Sequence, residues 1–334
     1  MTDFLKALLY REIAPFLHDL APIGKMLLHW AFFCAFILLI CFAMCWGREK
    51  LLAGMEMRRS GSVKRLFCRI VVRLLKRPAV PERTQKILFI CAPLFAFVFS
   101  LFFFFFIPVG SKYFLHPDFN MLYFLFAASC GVYAFIVGGW NSGSRFSFFG
   151  AVRLIAQSLA CQSVLTVVVV TILMTAGGTD LKTIIQAQRH VWFIVFHFPL
   201  FVLYLLATAM MLVQAPFGSP KSNLELAGGI YAEYSGALYA LFLVAENILL
   251  LLCAAVGSVL FLGGTMPLFG AESEIWLVVK TVLVLFVLIL IRKTLPSWRT
   301  DKIVNVSFKV YLPFAFVWLT ATAGVLCFIH GGGQ

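Results

Sequence analysis

Residues 97–110 read FVFSLFFFFFIPVG, with five consecutive phenylalanines at 102–106. In lipid every backbone polar group must find its partner within the chain, so a crossing segment is a helix or a strand of a closed barrel. A barrel strand of about ten residues alternates apolar with polar side chains, and this run does not. The surrounding segment, 87–109, therefore predicts a helix able to cross roughly 30 Å of hydrocarbon at 1.5 Å per residue. Seven further apolar segments flank it, at about 26–46, 120–140, 149–176, 190–213, 231–263, 275–291 and 304–329. The segment at 231–263 is longer than a crossing needs and opens on the polar stretch Tyr231 to Ser235, which predicts tilt or extension past the bilayer.

Composition agrees. Of 334 residues 62% are apolar and 12% charged, with a mean hydropathy of +0.97, against roughly 45–50% apolar in soluble domains. A soluble globular fold and any large soluble domain are excluded. The expectation is an all-α polytopic membrane protein: an N-terminal interfacial segment at 1–25, one eight-helix membrane domain at 26–329 and a tail at 330–334. The first 25 residues carry Asp3, Glu12 and Asp19 and show no signal-peptide pattern.

The net charge of +13 would suggest nucleic acid in a soluble chain. Here its distribution is topological. Nineteen Lys and Arg fall in the segments 47–86, 141–153, 214–230 and 292–303, and six fall in the N-terminal segment and the loops near 112, 182 and 268. The positive-inside rule places the first set in the cytoplasm, or in the matrix of an organelle, with both termini on the opposite side. No nucleic-acid partner is needed. Segment 60–78, SGSVKRLFCRIVVRLLKRP, separates apolar from basic residues at helical spacing and predicts an amphipathic helix at the cytoplasmic interface, either an anchor or the floor of a cavity opening into the membrane. Residues 2–20 predict a second, weaker interfacial helix on the opposite side.

Catalytic signatures are scarce: no phosphate loop, no dinucleotide fingerprint, no zinc-protease motif and no nucleophile elbow. The nine cysteines lie in apolar runs without metal-ligand spacing and read as small core residues. His190 and His197, seven apart, would share a helix face; a haem pair there is conceivable, but packing is the stronger reading. The Asn305-Val306-Ser307 sequon falls at the cytoplasmic end of a span. Ionisable residues at or within spans are costly in lipid and so are functional candidates: Glu225, Glu233, Glu246, Lys280 and Arg153. Glu233 and Glu246, thirteen residues apart in the sixth segment, span nearly 20 Å of helix and could relay a proton or cation inward. Lys280 reads either as their counter-charge or as a snorkelling side chain.

A colinear series of motifs resembles a known family. Gly139-Trp140, Ser142, Ser144, Gly150-Ala151-Val152-Arg153 and Ala156-Gln157-Ser158 are similar to a stretch of the H membrane subunit (subunit 1 in mitochondria) of the proton-pumping NADH:quinone oxidoreductase, respiratory complex I. The likeness continues through Ala215-Pro216-Phe217, Pro220, Glu225-Leu226, Gly229, Glu233-Tyr234-Ser235-Gly236, Ala245-Glu246, Lys280-Thr281 and Arg292-x-Thr294-Leu295-Pro296-x-x-Arg299-x-Asp301. Its specificity lies in that order, from about 48 to 317. The resemblance implies eight spans around a lateral quinone chamber, soluble iron–sulfur subunits above it, and carboxylates leading charge toward pumping subunits. NADH, FMN and iron–sulfur clusters would belong to partner subunits, with quinone as substrate and no cofactor or metal held by this chain.

The departures concentrate on acidic groups. Gly218, Lys221 and Asn223 stand where the family has Asp, Glu and Glu; Cys161-Gln162 stands for Tyr-Glu; Met211 and Gln214 occupy places of Glu and Arg. The resemblance assigns Arg58, Phe217, Glu225 and Glu233 to the quinone cavity and Glu233, Glu246 and Lys280 to the charge path. Arg153, Arg292, Arg299 and Asp301 would structure loops or face partners. The alternatives are the membrane subunit of a related hydrogenase or ferredoxin-driven pump, and a transporter or non-catalytic scaffold.

Overall fold

The structure is a computed structural model that describes residues 42, 47, 50, 72, 75, 76, 78–82, 84–102, 107, 120–212, 229–267, 274–295 and 298–331. The elements among them are helices: α1 (Lys86–Phe102), α2 (Asn120–Trp140), α3 (Arg145–Ala176), α4 (Leu181–Ala187), α5 (Phe193–Phe196), α6 (Phe198–Met211), a 3₁₀ turn (Gly229–Tyr231), α7 (Gly236–Leu262), α8 (Glu274–Thr294), α9 (Thr300–Val306), a π segment (Ser307–Tyr311) and α10 (Leu312–Gly331). Four stretches are long and apolar enough to cross a membrane: Asn120–Trp140, Arg145–Ala176, Gly236–Leu262 and the continuous Thr300–Phe328. Lys86–Phe102, Phe198–Met211 and Ile275–Ile291 are shorter apolar helices. Among the described residues the fold is all-helical, and the chain is a membrane protein. Most of the expected first span and of the amphipathic helix at 60–78, and all of the segment 2–20, lie outside the described residues.

Helix α7 is the axis of the bundle. It packs against α1, α2, α6 and α8, and from Ile248 to Leu262 every residue is buried. Close approach depends on missing side chains: a Cβ on Gly257 would sit 2.7 Å from the Tyr204 ring. Small residues at such crossings let backbones meet where lipid offers no hydrophobic drive between helices. Tyr204 on α6 then donates to the Cys253 carbonyl at 2.7 Å. Helix α3 is the second hub, touching α2, α6, α9, α10 and the 3₁₀ turn. Helix α10 turns Phe316, Val317 and Phe328 outward, as a lipid-facing helix does.

Three boundaries differ from expectation. The loop expected over 141–153 contracts to residues 141–144, because Gly143 takes φ 72° and Ser142 Oγ donates to the Gly139 carbonyl at 2.8 Å, closing a tight turn into α3. Arg145 and Arg153 are therefore helical. The span expected over 190–213 is broken at His197 (φ −113°, ψ 34°); Pro199 has no N–H to continue the earlier helix and sits in the first turn of the new one, where no such donor is needed. The loop expected near 182 contains the short helix α4.

Candidate functional site

The candidate site forms where two sequence motifs, distant in the chain, meet. The 3₁₀ turn lies on α3: Ser147 Oγ donates to the Ile230 carbonyl at 2.9 Å, and a Cβ on Gly150 would come 3.1 Å from the Ile230 amide nitrogen. Gly139 is equally tight, its missing Cβ 3.2 Å from Ile230 Cγ2. The two glycines of the first motif thus make the seat for the turn that opens the second.

That seating folds Tyr231 back along α7. In a continuous helix residues 231 and 246 would stand about 22 Å apart; instead the Tyr231 hydroxyl donates to Glu246 Oε1. Glu246 is 2% exposed and Tyr231 6%, so the pair is removed from water. The Tyr231 ring is caged by Tyr239 and Phe242, each with its centroid 5.6 Å away, and by Phe135 at 6.4 Å. Tyr234 fixes the next stretch: it stacks on Phe89 at 4.2 Å and donates to the Gly138 carbonyl at 3.1 Å. Between them Glu233 is half-buried on the turn and precedes the start of α7 at Gly236. The thirteen residues from Glu233 to Glu246 are thus not continuous helix, and the expected spacing of nearly 20 Å does not apply. The Ala79 amide donates to Ser235 Oγ at 3.0 Å, bringing the segment that follows the expected amphipathic helix against the same turn.

Lys280 lies at the other end of α7. Its Nζ donates to the Leu262 and Met266 carbonyls, both at 2.6 Å, and stands 4.5 Å from the centre of the Trp192 ring. Glu246 and Leu262 are sixteen residues apart in one helix, about 24 Å, so Lys280 does not pair with Glu246. Being 3% exposed, it does not snorkel either. Arg153 is half-buried on α3. Arg299 precedes α9 and pairs with Asp301 at 3.2 Å, with both side chains more than half exposed, a geometry that contributes little stability. Arg292 is a helical residue of α8.

Arg58, Phe217 and Glu225 lie outside the described residues, as do Gln214, Gly218, Lys221 and Asn223. Of the replaced carboxylate positions, Gln162 ties α3 to α2 by donating to Ser129 Oγ and, at 3.2 Å, to the Leu125 carbonyl. Cys161 is buried 3.9 Å from Ser307 Oγ, and Met211 is buried. His190 and His197 do not share a helix face: His190 is exposed outside any helix, while His197 Nδ1 accepts from Trp318 Nε1 at 3.1 Å. Cys161 and Cys253 are buried, Cys91 and Cys130 partly so, and Cys327 is exposed.

Two residues escaped the sequence reading. Tyr231 passed as part of an apolar span; the signal that could have found it is Glu246, since a buried acid needs a hydrogen-bond donor. Gln188, buried, donates to the Val259 and Leu260 carbonyls at 2.9 and 3.1 Å.

A family profile described as NADH dehydrogenase matches residues 28–323. The chain belongs to that family. Among its relatives, the H subunit of the NADH-quinone oxidoreductase of Paramagnetospirillum magneticum is 34% identical over 303 residues, 86% of this chain and 89% of the relative. The corresponding subunit of Rhodospirillum centenum is 32% identical over 297 residues, 85% and 88% of the two chains. That of Pelagibacter ubique is 34% identical over 266 residues, 77% and 80%. The family match contains every candidate residue above, from Arg58 to Asp301.

Proposed function

We propose that this chain is the quinone-chamber subunit of a membrane NADH:quinone oxidoreductase, catalytic only within the assembly, and that Glu246 is the buried end of its charge path. The observation that carries this reading is a carboxylate 2% exposed within an apolar bundle, joined through Tyr231 to the turn that bears Glu233. A carboxylate placed inside a span is costly and so is a functional candidate. Reduction of quinone in a chamber lined by Arg58, Phe217, Glu225 and Glu233 changes the charge at the mouth of the path. Glu233 and Glu246 carry the response inward. Lys280 acts as a gate rather than a carrier, a fixed positive charge holding the far end of α7.

The topology that suits this role has eight spans in one membrane domain, an amphipathic helix at the cytoplasmic or matrix face, and both termini opposite. The nineteen-to-six distribution of basic residues supports it. The site is a bacterial cell membrane or a mitochondrial inner membrane. The partners are the iron–sulfur and other membrane subunits, quinone and lipid, with NADH, FMN and clusters bound elsewhere in the assembly. Arg153, Arg292, Arg299 and Asp301 face those subunits or order the loops.

The test is to isolate the intact particle in mild detergent and measure NADH-driven quinone reduction sensitive to quinone-site inhibitors, for the parent and for Glu246→Gln. The variant should assemble and lose coupled turnover by more than about tenfold, a barrier change near 1.4 kcal/mol. Full coupled turnover in assembled Glu246→Gln would overturn the reading. A particle driven only by ferredoxin or hydrogen would replace it with the related pump, and a chain that purifies alone would replace it with a transporter or scaffold.

A further inference from the structure

We infer that Tyr231 is a positioning residue for Glu246: it ties the orientation of the buried carboxylate to the seating of the 3₁₀ turn on α3. The inference rests on the charge-path reading above and deepens it. A buried carboxyl group is held in place by the donors it meets, and this donor belongs to the turn and not to the helix that bears the acid. The ring is boxed by Phe135, Tyr239 and Phe242, so the hydroxyl cannot leave Glu246 by simple rotation about its own side chain. It leaves when the turn leaves. The turn is itself seated by a hydrogen bond from Ser147 and by the close fit of Gly139 and Gly150 around Ile230.

Glu233 follows the turn by two residues and Ser235 by four, where its Oγ receives the Ala79 amide. Tyr231 thus holds the buried carboxylate in register with the turn seated on α3.

The experiment uses the assembled complex carrying Tyr231→Phe, with Glu246→Gln as reference. Expected for Tyr231→Phe are normal assembly, an unchanged rate of NADH oxidation by a water-soluble artificial acceptor, and inhibitor-sensitive quinone reduction lowered about fivefold. In infrared difference spectra between quinone- and quinol-poised states, the protonated-carboxyl band that disappears in Glu246→Gln should move to higher wavenumber in Tyr231→Phe, because the donor is gone. A merely structural role for the ring would leave that band where it is. Replacing Tyr231 with 3-fluorotyrosine keeps the ring and strengthens the donor, and should move the band the other way, which keeps the inference testable if the phenylalanine variant fails to assemble. Parental turnover and an unmoved band in the tyrosine variants, with Glu246→Gln inactive, would overturn the inference alone. An active Glu246→Gln would overturn the charge-path reading and this inference with it.

Discussion

Helix α7 has a buried ionisable group near each end, and the two are held in opposite ways. Glu246 meets the hydroxyl of Tyr231, a group on a separate turn. Lys280 meets the Leu262 and Met266 carbonyls, which do not titrate, at the end of a helix whose macrodipole is negative there. The last four carbonyls of a helix lack partners within it. Here Gln188 serves Val259 and Leu260 and Lys280 serves Leu262, while the amide of Gly264 reaches back to the Ser258 carbonyl at 3.1 Å. Burial of an ionisable group thus takes two forms along one helix: a side chain on a separate turn holds one end and backbone carbonyls hold the other.

The sharpest way to break the comparison is to remove the fixed charge. Lys280→Met leaves two carbonyls at a buried helix end without a donor, and each unsatisfied group in lipid costs several kcal/mol. The assembled complex should fall below about a tenth of the parental amount on native gels, since a loss of about 1.4 kcal/mol is already tenfold in an equilibrium. Glu246→Gln keeps an acceptor for Tyr231 and should assemble. A Lys280→Met complex present at parental level but uncoupled would make Lys280 a gate with no share in holding the helix end.

Gln188 offers a milder probe of the same end. Gln188→Leu removes the donors to Val259 and Leu260 while keeping the volume near constant. Buried side-chain hydrogen bonds between membrane helices average about 0.6 kcal/mol and reach about 1.7. The expected outcome is a lower midpoint of thermal disassembly with an unchanged ratio of protons moved to quinone reduced. A changed ratio with unchanged stability would mean that both ends of α7 take part in coupling.

The sequence made the apolar helices readable because their runs exceed what a soluble core uses, as at 120–140 and at 231–263, of which Gly236–Leu262 is helix. It hid the boundaries that a single residue sets. Gly143 shortened a loop by accepting a positive φ, and Pro199 divided a span that hydropathy reads as continuous. Glu246 and Lys280 stood out, since a charge in an apolar run is visible at once. Their partners did not. Tyr231 lies fifteen residues before Glu246 and reaches it only because the chain leaves the helix and folds back, while the Leu262 and Met266 carbonyls that hold Lys280 belong to a backbone every sequence shares. The cradle of Gly139 and Gly150 was readable as a motif, but its purpose became visible only with Ile230 seated between them.

The smallest effect expected is at Trp192, and it asks how much of the fixed end is electrostatic. The Lys280 ammonium faces the indole at 4.5 Å, a cation–π contact worth about 0.5–1 kcal/mol at exposed sites and about 2 when desolvated. The same indole also packs on the end of α7, with its Cδ1 3.4 Å from where a Gly263 Cβ would be. Trp192→Phe retains an aromatic face with a weaker quadrupole, and Trp192→Leu retains only apolar bulk. If the ring's charge distribution matters, thermal stability of the complex should fall in the order Trp, Phe, Leu, with each step within about 1 kcal/mol. Equal losses for Phe and Leu would assign the contact to packing alone. Lys280 would then be held by its two carbonyls, and the contrast with Glu246 would rest on backbone against side chain rather than on the aromatic ring.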